Sequence, residues 1–105
     1  MPHATRSRKP ARLTPGKAKL AAEIRQQLMD QGGAAHRDVI IGRIVQRKGL
    51  SGLAADRARR ALLSAFELHA DPAAADVAPH LFELPFGPDS YRWALDGTVR
   101  PPLTS

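Results

Sequence analysis

The sequence predicts a mainly α fold with a small β-hairpin, an α+β domain in which a three-helix core is followed by two strands. Two observations carry that expectation. Between residues 14 and 70, apolar residues recur at three-and-four spacing in three stretches, divided by Gly32-Gly33 and by Gly49-Leu50-Ser51-Gly52. Beyond residue 80 the period changes to two, in a pair of short runs separated by Gly87-Pro88-Asp89-Ser90.

Thr14-Pro15 opens the first helix, an N-cap hydroxyl followed by proline where no N–H donor is needed. From there to Gln31, residues Leu20, Ala21, Ile24 and Leu28 form one apolar stripe, and Gly32-Gly33 accepts the left-handed conformation that closes a last turn. A second stripe, Ala18, Ala22, Arg25 and Met29, runs along another side of this helix. The second helix spans residues 35–48, with Ile40, Ile41, Ile44 and Val45 turned inward and Gly49 at its end. These β-branched residues are poor helix formers, so packing rather than propensity must hold it. Gly42-Arg43 and a spacing nearer 3.6 than 2 argue against a strand there.

The third helix, residues 53–70, sets Ala54, Ala58, Ala61, Leu62, Ala65, Phe66 and His69 on one face, with Ser51 as its N-cap. Asp56, Arg60, Leu63 and Glu67 fall on the opposite face, with Arg57 and Arg59 on its shoulders. Asp71-Pro72 breaks the pattern, and residues 73–79 form an alanine-rich connection. In the first strand, residues 80–86, Phe82, Leu84 and Phe86 alternate onto one side. The second strand, residues 91–95, directs Tyr91, Trp93 and Leu95 one way and Arg92 and Ala94 the other. Pro85 has no ladder donor, so its strand must be an edge or be bulged there. Four of the five aromatic residues lie in this hairpin, whose apolar face must therefore cover the alanine-rich helices. The chain thus divides into a disordered basic arm over 1–13, a folded domain over 14–97 and a flexible tail over 98–105.

Composition narrows the chemistry. A chain of 105 residues, 43% of them hydrophobic, is one domain with a modest core. It has no cysteine, which excludes disulfides, thiolate metal sites and a thiol nucleophile, and it has no apolar run long enough to span a membrane. The basic N-terminus is followed by no apolar segment, unlike a secretory signal, and the expected location is the cytoplasm, with nucleoid association if the source is bacterial. The net charge of +6 is unevenly spread: residues 1–60 hold fourteen Lys or Arg against four acids, and residues 61–105 hold two against six. A half at +10 joined to a half at −4 points the N-terminal helices at a polyanion, most commonly nucleic acid.

Two helices joined by the short turn Gly49-Leu50-Ser51-Gly52 have the layout of a helix-turn-helix, whose second helix reads DNA. Arg57, Arg59 and Arg60 occupy the N-terminal half of that helix, where arginine pairs with guanine O6 and N7. Arg43 and Gln46 on the second helix, with Arg47 and Lys48 near its end, are placed for phosphates. Ser51 and the backbone donors beside it at Gly52 offer a further contact. Arg6, Arg8 and Lys9 in the arm suit a phosphate backbone or a minor groove.

Three helices followed by a hairpin resemble the winged helix-turn-helix superfamily over residues 14–97. The likeness is carried by the helix–turn–helix segment 35–70 and by the wing HLFELPFGPDSYRWAL. The resemblance implies double-stranded DNA as partner, with the third helix in the major groove and the wing on the flanking backbone or minor groove. One departure stands out. The wing tip carries Asp89 and no Lys or Arg, leaving Arg92 as its single basic candidate.

The expected function is therefore a small DNA-binding transcriptional regulator that is not an enzyme, needs no cofactor and has no evident small-molecule ligand. No HExxH, Gly-rich phosphate loop or GxSxG is present, and His3, His36, His69 and His80 are scattered. A metal cluster of His69, Asp71 and His80 is the weaker reading beside a packing role for His69. The second stripe of the first helix and Leu63 raise self-association as a homodimer, although no heptad run supports it. The competing functions are a protein-interaction module on the same frame and a non-specific nucleic-acid binder.

Overall fold

The computed structural model describes residues 13–87 and 89–97, and the arm residues 1–12 and the tail 98–105 lie outside that range. Three helices pack with a small antiparallel sheet of three strands rather than the two expected. Helix α1 (Pro15–Asp30) begins as the sequence indicates: Thr14 is extended, and its hydroxyl accepts the Lys17 N–H at 3.1 Å. The helix ends where Gly33, at φ 104°, donates its N–H to the Leu28 carbonyl at 2.7 Å. Ala21, Ile24 and Leu28 are buried along the expected stripe.

The next element is a correction. The second helix does not start at Ala35; residues Ala34–His36 form strand β1. Three residues are too few to show an alternating pattern, and the strand exists through its pairing with a partner far along the chain. Helix α2 (Arg37–Arg47) follows at once, with His36 as its N-cap: the imidazole Nδ1 accepts the Asp38 N–H at 3.0 Å. Ile40, Ile41 and Ile44 are buried, and Gly49, at φ 67°, closes the helix.

Helix α3 (Gly52–Ala70) buries Leu62, Ala65, Phe66, Leu68 and His69. Its N-terminal turns reach past the core, so Ala54 and Ala61 are exposed rather than buried. Leu63, expected outward, is half-buried and packs against the core. Asp71 then caps a 3-10 turn at Pro72–Ala74, accepting the Ala73 N–H at 2.9 Å. Ala74, Ala78 and Leu68 form a second small cluster with Leu13, so packing reaches the last residue of the expected arm.

Strand β2 is only Phe82–Glu83, and strand β3 is Arg92–Leu95. Both neighbours pair with β3, which lies at the centre: Ala35 is opposite Trp93 on one side, and Phe82 is opposite Leu95 on the other. The first hairpin strand is thus shorter than expected. The chain leaves the ladder before Pro85, which has no N–H to donate, and turns through Leu84–Gly87 with the Gly87 N–H on the Leu84 carbonyl. Phe86 consequently stands 73% exposed and Tyr91 51% exposed instead of facing the core. Ala94, expected outward, is fully buried.

The hairpin supplies the bulk that the helices lack. Trp93 stacks on Phe66 at a centroid distance of 3.9 Å, Phe66 stacks on Phe82 at 5.0 Å, and His69 meets Phe82 edge-on at 6.2 Å. These rings join Ile24, Leu28, Ile40, Ile41, Ile44 and Leu62 in one core. The stack seats the sheet on α3 beyond Ala61, leaving the N-terminal half of that helix standing out.

Candidate nucleic-acid interface

Because Leu62, Phe66 and His69 turn into the core, helical geometry puts Leu53, Arg57, Arg60 and Ser64 on the opposite side of α3. Arg57 and Arg60 are both exposed, and among the described residues neither enters an ion pair or a side-chain hydrogen bond. Asp56 and Glu67 are exposed along the same helix, so this face is mixed in charge and not uniformly basic. Ser51 holds the extended N-cap conformation, but its hydroxyl makes no cap bond.

Arg59 faces elsewhere. Two residues from Arg57 it is carried some 200° around the helix, and its Nη2 lies 3.0 Å from Asp38 Oδ1 on α2. Asp38 is the centre of a small network. Arg37 Nε lies 3.4 Å from the same oxygen, while His36 Nδ1, which caps the Asp38 N–H, lies 3.9 Å from Oδ2. Arg37 is held from two directions: its N–H donates to the Tyr91 carbonyl at 2.7 Å, and its guanidinium lies 4.0 Å from the Tyr91 ring centroid. The exposed Arg92 is the cross-strand partner of His36. His36, Arg37 and Arg59 therefore converge on Asp38 where β1, α2 and α3 meet.

His36 and Arg37 are absent from the sequence-derived site. The one local signal was a helix start, with the acid Asp38 in the first turn of an apolar helical run. Their proximity to Arg92 depends on the β1–β3 pairing, which the residue pattern did not announce.

Arg43, Gln46 and Arg47 line a groove whose other wall is α1, formed by Gln26, Gln27 and Asp30. Arg47 is nine residues from Asp38, half a turn around the helix, so this groove opens away from the side of α2 that meets Arg59. Lys48 is engaged as well, its Nζ 3.0 Å from Glu23 Oε1 on α1. The structure thus divides the expected phosphate contacts between two surfaces. Arg6, Arg8 and Lys9 lie outside the described residues.

His69 is a core residue, with Nδ1 2.8 Å from the Ala65 carbonyl. The Nε2 of His80 lies 3.2 Å from the Ala70 carbonyl and its Nδ1 3.4 Å from Asp96. The described residues contain no group of three or more His, Asp or Glu arranged to hold a metal ion, and none of their helices is long and apolar enough to cross a membrane. Compared with protein-family models, curated proteins and solved structures, the chain gives no match, so its own residues carry the functional reading.

Proposed function

We propose that this chain binds double-stranded DNA as a small transcriptional regulator of winged helix-turn-helix type, with α3 entering the major groove. The observation that carries the reading is the pair Arg57 and Arg60, exposed and unengaged among the described residues, on the N-terminal half of a helix whose other side is anchored by Phe66 and Leu62. A rigid helix carrying forked donors clear of the protein body suits bidentate contact with guanine edges. The positive N-terminal half adds a sequence-independent attraction to phosphates.

The test is selection of bound sequences from a random duplex library, followed by titration of Arg57→Ala and Arg60→Ala. Each variant is expected to lose about 1–3 kcal/mol of discrimination between the selected and random duplexes. Retention of wild-type discrimination by both would remove α3 from the reading role. Binding of every duplex alike by the wild type would indicate a non-specific binder.

A second reading, a protein-interaction module, has its own support. Phe86 is 73% exposed on a hairpin tip that carries Asp89 and no basic residue. An exposed aromatic beside an acid suits a protein partner better than a phosphate backbone. Capture of a partner that survives high salt, with no duplex binding at low salt, would favour it. Homodimerisation through α1 belongs to either reading, and Met29, 46% exposed on that helix, is its nearest support.

A further inference from the structure

We infer that the junction of β1, α2 and α3 is a binding site for a DNA phosphate, and that the Asp38 carboxylate occupies it in this structure. The inference rests on the DNA-binding reading and adds a second contact to it, separate from the outer face of α3.

Two arginines and a histidine from three elements meet here: His36 ends β1, Arg37 begins α2 and Arg59 lies on α3, while Arg92 of β3 is only the cross-strand partner of His36. One carboxylate sits among them. Asp38 engages Arg59 at 3.0 Å and Arg37 at 3.4 Å, yet Arg37 Nε is buried and has no hydrogen-bond partner. The carboxylate therefore leaves a guanidinium donor unmet, which an anion with more oxygens, spread tetrahedrally, can satisfy. Glu67 lines the crevice beside Arg37 and Tyr91, so the two arginines are matched by two acids until Asp38 is displaced.

The site is accessible and already ordered. The side chains of Asp38 and Arg59 are 51% and 42% exposed, so an incoming phosphate displaces a solvated ion pair, which is weak. Stacking on the Tyr91 ring and the main-chain bond to the Tyr91 carbonyl, just before β3, hold Arg37 in place, so little further side-chain freedom is lost when it binds. Arg59 is the immediate neighbour of Arg60, so a phosphate gripped here fixes the register in which the outer face of α3 meets the bases. Asp38 acts as an internal competitor for that phosphate.

The experiment measures duplex affinity between about 50 and 200 mM salt for the wild type and for Asp38→Asn, Arg37→Gln and Arg59→Gln, with thermal melts to check folding. Asp38→Asn keeps the side-chain shape and removes the competing charge; it is expected to tighten binding about threefold to tenfold. Arg37→Gln and Arg59→Gln are expected to weaken binding to all sequences alike and to lower the slope of log affinity against log salt by about one each. The Arg59 side chain is 42% exposed, so its variant remains informative if loss of the Tyr91 stack unfolds the Arg37 variant. Unchanged or weaker binding by Asp38→Asn, or a wild-type slope for Arg59→Gln, overturns the site; if Arg57→Ala and Arg60→Ala still lose discrimination, the DNA-binding reading survives that result. Failure of the wild type to bind any duplex at low salt overturns both.

Discussion

Trp93 does more than fill space, because its ring lies 3.9 Å from Phe66 and only 6° from parallel, coupling the centre of the sheet to the middle of α3. It is 3% exposed, so Trp93→Ala removes a large buried ring from a core otherwise rich in alanine. A loss of about 3–5 kcal/mol in unfolding free energy is expected by denaturant titration; a loss below about 1 kcal/mol would mean that the stack does not seat the sheet. Phe86 is the contrasting aromatic in the same hairpin. At 73% exposed it contributes little to the core, and the alternation that suggested otherwise fails because Pro85 turns the chain out of the ladder first. At this scale helical spacing alone set Arg60 on the outer face and Arg57 and Arg59 on its shoulders, and of these the structure leaves Arg57 and Arg60 exposed. It could not reveal that Arg59 is held by Asp38, a residue 21 positions away.

The three helices differ in how their ends are held, even where two of their caps, Thr14 and Ser51, look alike in sequence. Thr14 and Ser51 are both hydroxyl residues in extended conformation before a helix, but only Thr14 uses its side chain as a cap. Thr14→Ala is expected to cost about 1 kcal/mol and Ser51→Ala only a few tenths, a contrast read by thermal or urea unfolding of the two variants. Equal losses would show that the Ser51 hydroxyl also closes its helix in solution. Helix ends were legible to within about two residues, because caps, glycines and apolar spacing are all local signals. The sheet was not. A hairpin of two strands was expected; Pro85 shortens its first strand, and β1 is added on the free side of β3.

Across the whole molecule the charge is directional, +10 over residues 1–60 and −4 over the remainder. The acidic part includes the hairpin and the connection before it, so the hairpin tip at Asp89 is a poor match for a phosphate backbone, whereas Arg92, at the start of β3, is paired across the strand with His36. Removing residues 1–12, with their four basic side chains, is expected to weaken duplex binding uniformly and to flatten its salt dependence while leaving sequence preference intact. Altered preference on repeating the duplex selection with the shortened chain would assign base reading to the N-terminal segment instead of α3.

Period, caps and charge by themselves determined the three helices, the existence of a hairpin, the basic half of the chain and the outer face of α3 with Arg60 on it and Arg57 at its shoulder, because each is written within a few neighbouring residues. Tertiary structure alone decided that Ala34–His36 is a strand, that β3 is central, that Arg43 and Arg47 share a groove with α1, and that Asp38 gathers Arg37 and Arg59. Those outcomes depend on which distant segments meet. A short strand or an ion pair between remote residues takes its stability from its partner and leaves no period in the chain to read.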